Sequence, residues 1–208
     1  MCDGMGGAAA GEVASSLAVG EVLRLLDERD GATPLETAVA EAVRDANEAI
    51  YSRAEVDFQL NGMGTTLAGL VTEGQRVLVF NVGDSRCYRL RKRKLEQISQ
   101  DHSLVEEQVR MGRITHEEAL LSPLRNVITR ALGTQPSVDP DLFELEAEAG
   151  DIFLLCSDGL TGEVPDAHLE TLLSADLPLD EICAKLVDAA NLAGGHDNIT
   201  CLLVRAEW

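Results

Sequence analysis

The middle of the chain contains four strand-like segments, and the connections between them are short. The segments span residues 65–71, 76–82, 87–90 and 95–98. A crossover between parallel neighbours needs about a dozen residues or more, so connections of this length require antiparallel neighbours. We therefore expect an antiparallel meander of four strands at the centre of the fold.

Helical patterns and further strand patterns flank this region. Apolar residues recur at helical or alternating spacing in six more segments. These are the helical segments 8–28, 35–50 and 179–190 and the strand segments 139–146, 151–156 and 199–205. Residues 103–132 carry two short helical stretches and are interpreted as a helical insertion between strands. The order predicts an α+β fold with largely antiparallel pairing, in one domain that spans 1–208.

The chain is strongly acidic. It has 17 Lys plus Arg against 36 Asp plus Glu, a formal net charge of -19. Such a field repels nucleic acids and anionic lipid and attracts cations, so we expect neither nucleic acid nor membrane as a partner. The one basic run, 91–94, lies between two strand patterns. It is interpreted as the solvated tip of a hairpin, with docking of an acidic partner as the alternative.

The cysteines and the apolar runs indicate the compartment. Five cysteines include no C-x-x-C pair, and four of them lie in apolar segments. They are interpreted as small core residues of a protein in a reducing environment. No apolar stretch reaches the ~20 residues of a membrane helix, and the N-terminus has no signal-peptide pattern. We expect a cytoplasmic protein and a monomer.

Five acidic signatures are distributed along the chain, mostly at the ends of predicted strands. They are Asp3-Gly4-Met5-Gly6-Gly7, Gly83-Asp84-Ser85-Arg86, Asp101-His102-Ser103, Ser157-Asp158-Gly159 and Gly195-His196-Asp197-Asn198. Each signature alone is an ordinary turn sequence. Together they predict a cluster of Asp3, Asp84, Asp158 and Asp197, with Arg86 as the only basic residue beside it. Clustered carboxylates raise one another's pKa unless cations bind.

The ligand types in this cluster indicate which cations would bind. Oxygen ligands without paired His or Cys favour Mg²⁺ or Mn²⁺ in water-rich octahedral sites and argue against zinc. Two such ions would lower the pKa of a bridging water, orient it for in-line attack and neutralise charge on a phosphoryl group. The residues therefore suggest hydrolysis of a phosphate ester.

Two histidines lie inside the signatures, and each has two interpretations. His102 is a candidate general base, but a structural hydrogen-bonding role is the favoured interpretation. His196, beside Asp197, either touches a bound phosphate or faces solvent, and solvent is favoured.

Seven motifs occur in order from one end of the chain to the other. They are Cys2-Asp3-Gly4-Met5-Gly6-Gly7, Gly62-Met63-Gly64-Thr65-Thr66, Val82-Gly83-Asp84-Ser85-Arg86, Asp101-His102-Ser103, Leu132-Gly133, Cys156-Ser157-Asp158-Gly159-Leu160 and Gly194-Gly195-His196-Asp197-Asn198-Ile199-Thr200. This set resembles the bacterial branch of the protein phosphatase 2C family, the metal-dependent Ser/Thr phosphatases. The resemblance implies two central antiparallel sheets flanked by helices, an α-β-β-α sandwich, with a dinuclear Mn²⁺ or Mg²⁺ site in a cleft at one edge.

The resemblance also implies roles for individual residues. Asp3 would bridge both metals, the Gly4 carbonyl would bind one of them, and Asp158 and Asp197 would hold the other. Catalysis would act through water on the metals that Asp3, Asp158 and Asp197 hold. Asp84, together with Asp158, matches the positions of a third, weaker metal in bacterial members.

The family pattern also gives expectations for residues 103–132 and for Met5. The insertion 103–132 matches a mobile flap beside the cleft, where substrate selection is thought to occur. Met5 takes the place of a His proposed as general acid in eukaryotic relatives, so the leaving group would be protonated otherwise, for instance by metal-bound water. The implied partners are phosphorylated proteins, namely Ser/Thr kinases and their substrates.

The N-terminus departs from the family pattern. Family members open with two strands that carry a phosphate-clamping Arg and an acidic residue that helps to hold the metal waters, and only Met1 and Cys2 precede Asp3 here. We expect an N-terminally truncated form of a Ser/Thr phosphatase domain, with a natural minimal enzyme as the alternative. The alternative function is a catalytically weak or inactive regulatory or binding module.

Overall fold

The computed structural model describes residues 1–207, except the side chains of Ala8 and Ala9. The helices are α1 (Ala8–Asp27), α2 (Leu35–Val56), α3 (Leu104–Arg110), α4 (His116–Leu121), α5 (Asp158–Thr161), α6 (Asp166–Leu173) and α7 (Leu179–Ala193). The strands are β1 (Gly4–Met5), β2 (Gly64–Thr65), β3 (Leu67–Glu73), β4 (Arg76–Val82), β5 (Arg86–Arg91), β6 (Lys94–Gln97), β7 (Asp141–Glu146), β8 (Ile152–Cys156) and β9 (Cys201–Arg205). Of the helices in this described part, none is both long and apolar enough to cross a bilayer.

Two antiparallel sheets form the centre of the molecule. One has the strand order β3-β4-β7 and the other β6-β5-β8-β9, while β1 and β2 form a short separate ribbon. Every neighbouring pair runs antiparallel. Residues of β4 alternate between faces: Leu78 and Phe80 pack toward α1 and α2, whereas Val77 and Val79 pack toward the second sheet. This alternation explains why β4 is apolar at almost every position.

The second sheet shows the same division of faces. Leu154 of β8 packs with Leu186 of α7 and Leu169 of α6, whereas Phe153 and Leu155 face the first sheet. Full burial of each large apolar side chain contributes about 1.5–3 kcal/mol. The layers therefore follow the order helices, sheet, sheet, helices, and the predicted α+β sandwich is confirmed.

The expected four-stranded meander is wrong. Strands β4 and β5 are consecutive in sequence but belong to different sheets, because the chain crosses from one sheet to the other at Gly83-Asp84-Ser85. Gly83 has φ +105, and a Cβ at this position would lie 2.7 Å from the Thr66 side chain. A short connection is compatible with either a hairpin or a crossing between stacked sheets, and spacing alone does not distinguish them. The crossing brings Asp84 to the end of both sheets.

The basic run 91–94 forms the tip of the β5–β6 hairpin, as predicted. Lys92 and Arg93 adopt φ values of +52 and +64, which a type I′ turn requires at both central positions. Arg91 donates hydrogen bonds to both carboxylate oxygens of Asp151, at 2.9 and 2.6 Å. Acidic residues of this protein therefore neutralise part of the basic run.

The predicted insertion contains two short helices, α3 and α4, between β6 and β7. The Ser103 hydroxyl caps α3 by accepting from Glu106 N, and Thr115 with Glu118 forms a capping box at the start of α4. Apolar side chains on α4 remain exposed, with Leu121 at 85%. Capping thus supports these helices more than burial does.

Candidate metal centre

Asp3 is fixed by backbone contacts to the segment between β2 and β3. Thr66 N donates to Asp3 O at 2.9 Å, and Thr65 Oγ1 donates to the same oxygen at 2.8 Å. Asp3 N donates to Thr66 Oγ1 at 3.0 Å, and this hydroxyl shares a 2.7 Å hydrogen bond with Ser85 Oγ. The Gly62–Thr66 motif therefore links Asp3 to the turn that carries Asp84.

Gly4 lies against the first turn of α1. A Cβ at Gly4 would lie 2.0 Å from Gly11 O, and a Cβ at Gly11 would lie 2.7 Å from both Gly4 C and Gly4 O. Both obstacles are backbone atoms, so neither site accommodates a side chain without displacement of the chain. This close approach fixes the backbone at Gly4, the residue that follows Asp3.

Asp158 and Asp197 are joined through Ser157. Ser157 Oγ donates to Asn198 O at 3.1 Å and accepts from Thr200 N at 3.0 Å, while Ser157 N donates to Thr200 O at 3.1 Å. These bonds attach the segment after α7 to the end of β8. Asp158 therefore starts α5 directly beside the segment that carries Asp197.

The carboxylates interact strongly with one another. Burial raises the pKa of Asp3, and the nearby charges of Asp158 and Asp197 raise it further. The Asp3 and Asp158 carboxyl groups also influence each other directly, and this interaction raises the pKa of Asp3. Burial also raises the pKa of Asp158, and again Asp197 adds to the effect. The charges of Asp3, Asp158 and Asp197 therefore act on one another, and their joint role as metal ligands stays a prediction.

Asp84 belongs to the same electrostatic group. It is 9% exposed, and burial, followed by repulsion from Asp158 and Asp101, raises its pKa to about 7. Asp3 adds a smaller effect of the same sign. Asp84 is thus buried next to like charges, which is costly unless a proton or a cation neutralises it.

Arg86 does not neutralise the cluster, although it is the one basic residue in the signatures. Its Nε and Nη2 donate to the Asp101 carboxylate at 2.7–3.0 Å, and its Nη1 donates to Tyr88 Oη at 2.9 Å. Gln97 Nε2 also donates to Asp101 Oδ1, at 3.0 Å. Arg86 therefore forms an ion pair with Asp101.

The donor set fits hydrated divalent cations. In residues 1–207, no three Asp, Glu, His or Cys side chains already converge on one ion position. Burial and the neighbouring carboxylates have the largest effects on the pKa of Asp3 and Asp158, and carbonyl oxygen and water would complete an all-oxygen donor set. Mg²⁺ and Mn²⁺ suit such a donor set, because they accept oxygen ligands and Mg²⁺ in particular keeps several waters. The chemistry of these donors fits such an ion, and joint binding of metal by Asp3, Gly4, Asp84, Asp158 and Asp197 stays a prediction.

The two histidines of the signatures have different surroundings. His102 is buried, and its Nδ1 accepts from Gly83 N at 3.0 Å, so the favoured structural interpretation agrees with the structure. Its Nε2 lies 3.2 Å from Asp141 Oδ2 but is not aligned for a hydrogen bond, and burial lowers the His102 pKa. His196 is 80% exposed, and its Nδ1 lies 2.7 Å from Glu163 Oε1.

The sequence analysis did not identify the supporting hydroxyl groups or the role of Asp101. Ser85 and Ser157 lie directly after Asp84 and directly before Asp158, so their adjacency in sequence was a usable signal. Thr66 is 63 positions from Asp3, and no spacing indicated that contact. The Arg86–Asp101 pair joins two motifs 15 residues apart, and nothing in the spacing of either motif indicates that contact.

Comparisons with known proteins agree with this geometry. The sequence profile of the family described as Protein phosphatase 2C matches residues 1–203. The serine/threonine phosphatase stp of Listeria monocytogenes is 41% identical over 214 residues, which cover 100% of this chain and 83% of that protein.

Solved structures show the same similarity. The crystal structure of the serine/threonine phosphatase PstP/Ppp of Mycobacterium tuberculosis has a TM-score of 0.93 and 41% identity, covering 100% of this chain and 87% of that one. The catalytic domain of PstP in complex with 2 manganese ions has a TM-score of 0.86 and 41% identity, covering 97% of this chain and 84% of that one. Our chain therefore belongs to the protein phosphatase 2C family.

Proposed function

We propose that this protein is a metal-dependent phosphatase that removes phosphate from phosphoserine and phosphothreonine in proteins. The main observation is that burial and one another's charges raise the pKa values of Asp3, Asp84 and Asp158. A group of this kind is repulsive without cations. Family membership supports the same reaction.

Asp3, the Gly4 carbonyl, Asp158 and Asp197 would hold two metal ions, as the family pattern implies. Asp84 with Asp158 would hold a weaker third ion. Bound Mn²⁺ or Mg²⁺ supplies Lewis acidity, an activated water and charge neutralisation at the phosphoryl group. Relatives include a phosphatase domain solved with 2 manganese ions, which favours Mn²⁺ as the first ion to test.

The residues around the ligands hold them in position. Thr66 and Ser85 fix the backbone at Asp3 and the turn at Asp84, and Ser157 fixes the segment that follows Asp197. Met5 offers no proton, so the leaving alcohol takes its proton from water. Ligands held in a fixed orientation account for much of the rate enhancement that a metal site provides.

The substrates that fit are phosphorylated proteins, and the enzyme would oppose a bacterial Ser/Thr kinase by acting on its substrates or on the kinase itself.

Residues 103–132 would act as the flap that contacts the protein substrate, because Leu120 and Leu121 of α4 are 74% and 85% exposed. We propose a cytoplasmic, monomeric enzyme whose residues 1–208 form one catalytic domain.

Hydrolysis of a phosphothreonine peptide with and without Mn²⁺ tests the proposal. Turnover should require the metal, and Asp158→Asn and Asp197→Asn should each lower kcat/KM by about 100-fold or more. Asp45→Asn is the matched control, since Asp45 is exposed on α2 away from the cluster. Equal turnover in Asp158→Asn and the parent protein would count against the proposal.

The binding-module alternative has one supporting observation. Arg86 is occupied by Asp101, so it is not free to hold a substrate phosphate. A protein that binds Mn²⁺ and phosphopeptide in calorimetry but releases no phosphate would favour the alternative over the enzyme.

A further inference from the structure

Two half-buried cysteines face each other outside the candidate metal centre. Cys183 lies on α7 and Cys201 is the first residue of β9. The Cys201 thiol approaches the Cys183 carbonyl oxygen at 3.8 Å, and the two thiols are close enough for Cys183 to raise the pKa of Cys201. Both are free, whereas Cys87 and Cys156 are buried in the core. The expectation that these two cysteines are ordinary core residues is therefore incomplete.

A surface pocket makes this pair accessible. Cys183 and Cys201 line an open pocket of about 500 Å³, together with Val187, Asp188 and Thr200. The volume admits a small hydrophilic oxidant. A thiol pair in contact, with a route from solvent, meets the structural conditions for disulfide formation.

The pair also encloses the segment that carries Asp197. Cys183 and Cys201 are 18 positions apart in sequence, and the end of α7 and residues 194–200 lie between them. The adjacent Thr200 is bonded to Ser157, which precedes Asp158. A covalent bond between the two sulfurs would close a ring that contains Asp197 and ends next to the support of Asp158.

We propose that Cys183 and Cys201 form a reversible disulfide when a hydroperoxide oxidises them, and that the closed ring restrains residues 194–200. The Cys183 thiolate attacks one oxygen of hydrogen peroxide, the O–O bond breaks, and the other oxygen leaves as water after it takes up a proton. Cys201 then attacks the Cys183 sulfenic sulfur, and the hydroxyl group departs as a second water with the Cys201 proton. Two thiols are oxidised to one disulfide, and one peroxide is reduced to two waters.

The two cysteines have different parts in this reaction. Burial, with the neighbouring Cys183 thiol, raises the pKa of Cys201 to about 12. Cys201 therefore remains protonated at neutral pH, and the thiolate is the form that attacks peroxide. The first attack on peroxide is therefore assigned to Cys183, the other thiol that lines the pocket, and the second step to Cys201.

Disulfide mapping tests the first step. The reduced full chain is treated with hydrogen peroxide, alkylated, digested and analysed by mass spectrometry. We expect a Cys183–Cys201 linked peptide that disappears on treatment with dithiothreitol and is missing from Cys183→Ser. Cys2→Ser is the matched control, since Cys2 is also half-buried, and it should retain the link. Alkylation of both thiols in treated, folded protein would overturn the proposal.

Amide hydrogen exchange tests the restraint without any use of phosphatase activity. Exchange in residues 194–200 should slow by about tenfold in the disulfide form and recover on reduction, because ring closure reduces local opening. Peroxide should leave exchange in Cys201→Ser unchanged. A mapped disulfide with unaltered exchange would overturn the restraint. An effect on turnover would rest on the proposed function, which the metal-ligand variants test separately.

Discussion

At the scale of single residues, the most informative groups are polar side chains that the fold buries. Asp84 is the least exposed of the four clustered carboxylates. His102 is 2% exposed and accepts a hydrogen bond from Gly83, the residue before Asp84. Burial dominates the effect of Asp84 on stability, and a hydrogen bond to Gly83 N dominates that of His102. Each therefore gives a prediction that does not depend on catalysis.

Asp84 should make the metal-free protein less stable as pH rises. Burial raises its pKa to about 7 from 3.8, so the folded state holds this proton more tightly than the unfolded chain does. The resulting stability is fully present below about pH 4 and is lost as pH rises through about 7. The loss amounts to at most about 4 kcal/mol.

The matching variant is Asp84→Asn, which has no carboxyl group to titrate. Urea unfolding in the presence of a chelator should show a smaller decrease in unfolding free energy from about pH 4 to about pH 8 than in the parent protein. Asp45→Asn should keep the parental slope. Identical slopes in Asp84→Asn and the parent would show that Asp84 titrates normally in the fold.

His102→Leu should destabilise the protein although it keeps most of the side-chain volume. The substitution removes the acceptor for Gly83 N and leaves a buried backbone N–H without a partner. We expect a decrease of about 1–3 kcal/mol in the free energy of unfolding, measured by urea denaturation with chelator. His116→Leu is the control, because His116 is exposed on α4. An equal, small change in both variants would mean that the Gly83 bond contributes little.

At the scale of elements, contact between α1 and the β1 segment decides where Asp3 lies. The helix begins only one residue after Gly6-Gly7, and Gly4 and Gly11 approach through their backbones. Any side chain at this contact pushes α1 away from the strand. The geometry of the metal centre therefore depends on a helix that supplies none of its ligands.

Gly11→Ala and Gly20→Ala should have opposite effects. Both glycines lie in α1, but a Cβ at Gly11 meets backbone atoms at 2.7 Å, whereas a Cβ at Gly20 meets nothing within 4 Å. Gly20→Ala should stabilise the protein by about 0.5–1 kcal/mol through helix propensity. Gly11→Ala should destabilise the protein. It should also weaken Mn²⁺ binding, measured by calorimetry, by about tenfold or more. Parental Mn²⁺ affinity in Gly11→Ala would contradict the role assigned to this contact.

The sequence predicted most elements but not the membership of the sheets. The helices α1, α2 and α7 follow from strong apolar periodicity, and β4 and β8 follow from continuous apolar runs. Periodicity is a local property, so these predictions needed no tertiary information. The turn at Gly83-Asp84-Ser85 joins two sheets, and stacking of sheets depends on contacts between residues distant in sequence. That is why a single meander was the wrong prediction.

At the scale of the whole molecule, the order of the motifs along the chain was the main basis for predicting the site. Asp3, Asp158 and Asp197 are far apart in the chain, and their proximity was expected from the acidic signatures taken together and from the resemblance of the complete set of motifs to one family. Asp101 and its pairing with Arg86 were not foreseen. The charge balance of a site depends on which acidic neighbour pairs with each basic group, and the spacing of residues in the sequence does not indicate that pairing.

The net charge of -19 should also influence which phosphopeptides react fastest. A strongly negative molecule attracts positively charged ligands over a distance of about one Debye length, and this increases association rates by tenfold or more at low salt. At low ionic strength, a phosphothreonine peptide flanked by lysines should therefore have a kcat/KM about tenfold higher than the same peptide flanked by glutamates.

Salt provides the control within the same experiment. Increasing ionic strength from about 20 mM to about 500 mM should reduce the difference between the two peptides, because screening shortens the range of the protein's field. The neutral alanine-flanked peptide should change least. If the preference for lysine persists at high salt, a specific contact recognises the peptide; if glutamate flanks are preferred at low salt, local charge near the cleft outweighs the net charge of the molecule.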